Sequence, residues 1–222
     1  GVQMAEYVCH ALMRHFRRFD ALQVQQAQAR WQAPAAPQRA EFPIGIMGLG
    51  VLGLTVARAL RAFKFTVHAW TRTPPSKLPA GVTSFVGAQG LEPFLRASQG
   101  LVCLLPLTPE TENILNRRTL KLLRPGAYVV NVARGAHVVD EDLLALLDEG
   151  HVAGATLDVF RQEPLPADHP YWAHPRVCVT PHTSARTLRE DSIAQIAGKI
   201  AAVVGGASFE SVGGLVLADR GY

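Results

Sequence analysis

The chain has 222 residues, of which 48% are hydrophobic and 18% charged, a balance that supports a buried core and excludes a disordered chain. Its formal charge of +4 is mild, and the one tight basic cluster, Arg14, Arg17 and Arg18, reads as the solvated face of a helix, so no nucleic-acid partner is expected. No apolar run approaches the roughly 20 residues needed to span a bilayer, and no signal peptide is read at the start, so no membrane partner is expected either.

In chain order, Met4, Val8, Ala11, Leu12, His15, Phe16 and Phe19 recur at helical spacing and predict one helix over residues 3–28. Residues 31–41, with Trp31, Pro34 and Pro37, read as a connecting arm. A buried strand over 42–47, a glycine turn, a helix over 51–63 and a second strand over 65–70 follow. Further apolar runs stand at 83–86, 101–105, 127–132, 153–159 and 177–180. Helical stretches separate most of them, notably 140–149, closed by Gly150. A last helix spans 187–204, and a glycine-rich tail ends at Tyr222. Continuous apolar strands alternating with helices imply a parallel sheet covered on both faces, the doubly wound α/β class. Cys9, Cys103 and Cys178 show no framework or metal-ligand spacing; they suit a reducing cytoplasm, and no metal is expected.

The turn Gly48-Leu49-Gly50-Val51-Leu52-Gly53 directly follows a strand and opens a helix, the context of a dinucleotide-binding turn of the Rossmann type. Gly48 permits the tight turn, Gly50 lets backbone approach a pyrophosphate, and Gly53 lets helix pack on strand. The helix start at Val51 and Leu52 offers unpaired N–H groups to the anion. Folds that prefer NAD carry an acid after the second strand. Here residues 71–77 hold none, and Arg72 and Thr73 suit a 2′-phosphate instead. NADP(H) is therefore preferred, with NAD(H) possible.

Three ionisable residues follow predicted strands: Arg134, Glu163 and His182. Ligands of open parallel sheets bind outside the carboxyl ends of the strands, so these groups can converge on one cleft. Of the other histidines, His137 lies close to Arg134 and is the first candidate for a role beyond structure.

Together the glycine turn, Leu104-Leu105-Pro106-Leu107-Thr108-Pro109-Glu110-Thr111, Asn131-Val132-Ala133-Arg134-Gly135, Leu157-Asp158-Val159-Phe160, Glu163-Pro164-Leu165-Pro166 and Thr180-Pro181-His182 make the chain resemble the D-isomer-specific 2-hydroxyacid dehydrogenases. Gln3-Met4-Ala5-Glu6-Tyr7, His15-Phe16-Arg17-Arg18-Phe19-Asp20 and Asp219-Arg220-Gly221-Tyr222 are most similar to its glyoxylate/hydroxypyruvate reductase A branch. The resemblance implies reduction of a small 2-oxo acid to the D-2-hydroxy acid with NADPH. His182 would be the general acid, an imidazole having an ordinary pKa near 6.5. Glu163 would hold the other ring nitrogen and Arg134 the substrate carboxylate. Asp158 would bond the nicotinamide end, while Leu105, Pro106, Thr111, Val132 and Ala133 would line the groove. Ser184, beside Thr183, departs from the smaller or apolar residues common after this histidine and bears on how the cofactor amide is held. Thr108 and Pro109 read as the cap and first residue of a helix, or as cofactor contacts.

The resemblance also implies a substrate domain of roughly a hundred residues before this chain. Residues 1–30 would be the interdomain helix, 31–41 the arm, 42–184 the NAD(P)-binding domain, and 185–222 a helix and tail packing toward that missing part, whether truncated, proteolysed or unresolved. A homodimer using the first helix and the arm is expected. The rival reading is a nucleotide-sensing or corepressor-like module with this fold and no turnover. A second rival, a β-hydroxyacid dehydrogenase, would need a catalytic lysine; Lys199 is the only lysine after residue 121 and lacks the expected neighbours.

Overall fold

In the computed structural model, which describes residues 1–186, 189–208 and 211–212, the elements run α1 (Val2–Phe16), α2 (Phe19–Ala27), β1 (Ile44–Met47), α3 (Val51–Ala62), β2 (Val67–Thr71), β3 (Val82–Val86), α4 (Gly87–Arg96), β4 (Gly100–Cys103), α5 (Arg117–Leu120), β5 (Ala127–Asn131), α6 (Asp140–Asp148), β6 (Val152–Leu157), β7 (Val177–Val179) and α7 (Arg189–Val204). The chain divides into two compact units, Gly1–Ser184 and Ala185–Tyr222. The second consists, in its described part, of α7 and the turn that follows. The expected tail ending at Tyr222 lies outside the described residues.

Seven parallel strands form one sheet in the order β3-β2-β1-β4-β5-β6-β7. The order reverses between β1 and β4, which opens a crevice at their carboxyl ends. Side chains alternate across the sheet as the pleat requires. Ile44, Ile46, Val67, Ala69, Tyr128 and Val130 face the layer of α1 and α3. Met47, Trp70, Leu101, Cys103, Val129 and Ala155 face that of α4 and α6. In α3 the buried residues are Gly53, Val56, Ala57 and Leu60, a spacing of 3.6 that lays one stripe on the sheet. Full burial of Val56 and Leu60 contributes about 1.5–3 kcal/mol each.

The single N-terminal helix expected over residues 3–28 is two helices. The buried stripe of α1 ends at Phe16, and α2 buries nothing, so no core contact holds the two in line. Arg18 takes a left-handed φ of 57°, and Arg14 Nε donates across the break to Asp20 Oδ1 at 2.7 Å. The arm from Trp31 is exposed and tightens only in a 3-10 turn at Arg39–Glu41.

Nor does a helix start at Thr108-Pro109, where residues 109–113 form turns. Asn113 N–H and Leu115 N–H donate to Ala136 O and His137 O, at 2.9 and 2.8 Å. Those bonds tie the segment to the β5 loop and take its backbone out of a helical path.

Candidate active site

The glycine turn sits at the crossover between β1 and β4. Gly48 has φ +97°, and a Cβ there would stand 2.8 Å from the Leu104 carbonyl oxygen. A Cβ on Gly53 would meet the Gly48 carbonyl oxygen at 2.1 Å, so only glycine lets α3 sit this close to the turn. Gly50 is different: nothing lies within 4 Å of its missing Cβ, which would project into open space at the α3 N-terminus. Val51 and Leu52 are exposed beside it. The first three N–H groups of α3 have no partner within the helix and start beside this open space, the arrangement that a pyrophosphate fits.

Arg72 and Thr73 are exposed just beyond β2, across β1 from the strands that carry the ionisable residues. The strand runs one residue further than expected, to Thr71, whose buried hydroxyl has no partner. An orphaned hydroxyl at the last residue of the second strand suits the ribose end of a dinucleotide, and sequence reasoning missed it by ending the strand at Trp70. Glu110, fully exposed on the β4 loop, is held below the ordinary carboxylate range, chiefly by the Thr108 hydroxyl and also by the Arg72 charge. The crevice mouth near Arg72 thus has an acid that the absence of acids after β2 did not foretell.

The β4 and β5 loops are bonded to one another. The Thr111 hydroxyl donates to Pro106 O at 2.7 Å and accepts from Thr108 N–H at 2.8 Å, so it shapes this loop. Leu105, Val132 and Ala133 are buried and Pro106 is half-buried. Asn131 Oδ1 accepts from Ala133 N–H, and its Nδ2 donates to Arg134 O, which folds the strand end into a tight loop. His137 has no exposed surface, and burial lowers its pKa. Its Nε2 lies 3.3 Å from Pro106 O, and its Nδ1 lies 3.0 Å from Arg134 O and 3.2 Å from Arg134 N, so the ring bonds to both loops. His137 is a neutral pin between the two loops.

Arg134 is exposed, and its Nη1 donates to Ala133 O at 2.7 Å. A Cβ on the next residue, Gly135, would lie 1.8 Å from the Phe160 carbonyl carbon, so the β5 loop rests directly on the β6 loop. Arg161 secures that contact, its Nε donating to Val138 O at 2.9 Å. Phe160 N–H then donates to Glu163 Oε1 at 2.9 Å, and Glu163 Oε2 lies 2.8 Å from His182 Nδ1. A carboxylate accepts, so Nδ1 carries a proton and Nε2 is left for a ligand. Burial pushes the Glu163 carboxyl up, but the bonds from His182 and Phe160 N–H outweigh it, and the group sits below the ordinary glutamate value. Both side chains remain partly exposed, 47% for His182 and 37% for Glu163.

Asp158 has no exposed surface, and its carboxylate is occupied from within. Oδ1 accepts from Thr180 Oγ1 at 2.6 Å and Thr183 N–H at 2.8 Å; Oδ2 accepts from Ser184 N–H at 2.8 Å. Its carbonyl takes His182 N–H at 2.9 Å. Asp158 and Ser184, expected beside the nicotinamide, are thus joined to each other, and Asp158 brackets a His182 whose backbone is left-handed at φ 52°. The structure unites His182, Glu163, Asp158 and Ser184 by direct hydrogen bonds, sets the Arg134 loop against them, and leaves Arg72 and Thr73 at the far end of the crevice.

A doubly wound sheet with a glycine-cradled groove at its switch point, bordered by a His–Glu pair, defines the class of dinucleotide-dependent oxidoreductase domains. The family profile "D-isomer specific 2-hydroxyacid dehydrogenase, NAD binding domain" matches residues 9–184. This chain belongs to that family. It is 49% identical over 222 residues to glyoxylate/hydroxypyruvate reductase A of Yersinia enterocolitica, covering 100% of the chain and 69% of that protein. It is 50% identical over 204 residues to the protein of the same name from Serratia proteamaculans, covering 92% of the chain and 64% of the relative. The chain thus spans about two thirds of the length of these relatives. Among solved structures it is similar to an NADPH-dependent glyoxylate/hydroxypyruvate reductase from Sinorhizobium meliloti in complex with NADP and sulfate (TM-score 0.93, 34% identity, 100% of this chain, 70% of that one). It is also similar to a family member from Xanthobacter autotrophicus Py2 in complex with NADPH and MES (TM-score 0.92, 39% identity, 99% of this chain, 89% of that one).

Proposed function

We propose that this chain is the cofactor-binding and catalytic part of an NADPH-dependent reductase that converts glyoxylate, hydroxypyruvate or a similar 2-oxo acid to the D-2-hydroxy acid. The observation that carries the reading is the His182–Glu163 pair, with Nδ1 committed at 2.8 Å and Nε2 turned loose, at the carboxyl end of a sheet whose glycine groove fits a dinucleotide. Gly48, Gly50, Gly53 and the start of α3 would hold the pyrophosphate. Thr71, Arg72 and Thr73 would hold a 2′-phosphate, and relatives of 34–39% identity are named as complexes with NADP or NADPH. When bound, the reduced nicotinamide supplies a hydride to the carbonyl carbon. His182 gives its Nε2 proton to the carbonyl oxygen, Glu163 stabilises the imidazolium before that transfer, and Arg134 holds the substrate carboxylate in its planar fork. One hydride and one proton complete the alcohol, and His182 takes a new proton from solvent.

No helix among the described residues is long and apolar enough to cross a membrane. A cytoplasmic homodimer, with α1 and the exposed Trp31 arm at its interface and residues 185–222 serving a second domain, belongs to the same proposal. The test is NADPH oxidation by the protein carrying this chain, screened with glyoxylate, hydroxypyruvate and pyruvate. His182→Ala should lose turnover and keep NADPH binding. Binding of NADPH without oxidation against any of the three acids would overturn the reading in favour of a nucleotide-sensing module.

A further inference from the structure

His182 is fixed by more than Glu163, and part of what fixes it comes from the first helix. Tyr7 projects from α1 and is half-buried against the core. Its hydroxyl oxygen lies 2.5 Å from Thr180 Oγ1, a residue 173 positions later in the chain. The direction of that bond follows from counting protons. Thr180 has one hydroxyl hydrogen, and its oxygen lies 2.6 Å from Asp158 Oδ1. An ionised carboxylate only accepts, so Thr180 donates to Asp158 and must accept from Tyr7. A one-way chain therefore runs from Tyr7 O–H through the Thr180 hydroxyl to the Asp158 carboxylate. That carboxylate then receives Thr183 N–H and Ser184 N–H, and Asp158 O receives His182 N–H. His182 stands between the two anchored ends with a left-handed backbone, a conformation that a non-glycine residue keeps only when its surroundings impose it.

We propose that Tyr7 is a positioning residue for His182, acting through Thr180 and Asp158 to hold the imidazole in its left-handed seat against Glu163. The inference rests on the reductase reading for its kinetic consequence and on the hydrogen-bond chain for its structural one. Burial, the largest influence on the Tyr7 hydroxyl, raises its pKa, so it stays a neutral donor.

Tyr7→Phe keeps the ring and removes only the donor. In the protein carrying this chain, it should lower kcat by ~3- to 10-fold, the value of one partly buried hydrogen bond, with KM for NADPH unchanged within about twofold. A loss confined to KM, or kcat equal to the parent, overturns the proposal. Thr180→Val breaks the chain at its middle; Tyr7→Phe added to it should have no further effect on kcat, whereas independent, multiplying losses would show that Tyr7 does not act through Thr180. A readout free of turnover is the imidazole NMR spectrum of ¹⁵N-histidine-labelled, cofactor-free protein, with His182 assigned by its disappearance in His182→Gln. Tyr7→Phe and Thr180→Val should move the His182 resonances in the same sense, leaving those of His68 and His151 in place. If the parent protein reduces no 2-oxo acid, the reductase reading fails, but the spectra still judge Tyr7: unmoved His182 resonances in both variants overturn the positioning role.

Discussion

Replacing Asp158 by alanine tests whether one buried acceptor sets the geometry of the site. The carboxylate receives Thr180 Oγ1 at 2.6 Å and the Thr183 and Ser184 N–H groups at 2.8 Å each, in a residue with no exposed surface. Alanine strands the two backbone donors, while the Thr180 hydroxyl can rotate away. A buried donor without a partner costs about 1–3 kcal/mol, so the pair costs about 2–6 kcal/mol. Two effects oppose this. Removing a buried carboxylate returns its desolvation penalty, several kcal/mol, though its charge-assisted bonds had offset much of it. The freed segment can also relax His182 from φ 52°, which returns about 1–3 kcal/mol of backbone strain. The net loss should fall near 2 kcal/mol by urea unfolding, with the m-value unchanged. Activity should suffer far more, because that relaxation carries the imidazole off Glu163; a displacement of about 1 Å costs on the order of 100-fold in kcat. Asp158→Asn should sit between, since its oxygen can still accept from Thr180 and Thr183 while its amide faces the Ser184 N–H, donor against donor. An alanine variant as stable as the parent and within twofold in kcat would refute the reasoning.

Three further outcomes follow from the same geometry. Arg72→Ala should weaken NADPH binding by ~10- to 100-fold, the value of a charge-assisted bond, and leave NADH within about twofold in a fluorescence titration; equal losses would remove the 2′-phosphate role. Gly135→Ala places a Cβ 1.8 Å from the Phe160 carbonyl carbon, so the β5 and β6 loops must part. It should cost about 3 kcal/mol in thermal or urea unfolding and lower kcat, and a neutral result would mean that the loops do not touch in solution. Burial lowers the pKa of His15, stacked on Tyr128 at 4.2 Å, to about 4. The unfolded chain takes up that proton below about pH 6.5 and the folded one only near 4, so stability should be greatest above 6.5 and fall toward pH 4 by up to roughly 3 kcal/mol. His15→Phe should flatten that slope; an unchanged slope would assign it to His68 and His137, whose pKa values burial also lowers.

Much of the site could be read locally. Gly48, Gly50 and Gly53 betray themselves because each answers a backbone demand made within six residues: a positive φ, an open approach and a helix–strand contact. Arg134, Glu163 and His182 could be picked out because each follows a strand and a parallel sheet gathers strand ends. The break at Arg18 was not legible, since helical spacing of apolar residues continues through Phe19 while the core that would straighten the helix stops at Phe16. Thr71 was passed over for a similar reason: one more sheet-paired residue, against Val86, moves the strand end and leaves a hydroxyl unpartnered.

By itself the sequence determined the doubly wound class, the glycine cradle, the absence of an acid after the second strand and the identity of the three ionisable groups, because these depend on short-range periodicity and on residue chemistry. Only the tertiary structure decided that Asp158 faces inward to Thr180, Thr183 and Ser184, that His137 joins the Pro106 and Arg134 loops, and that Tyr7 reaches Thr180. A hydrogen bond between residues 173 positions apart leaves no periodic trace in the chain. It exists because α1 packs on the sheet whose last strand, β7, leads into Thr180, and which polar atoms meet there is settled by packing alone.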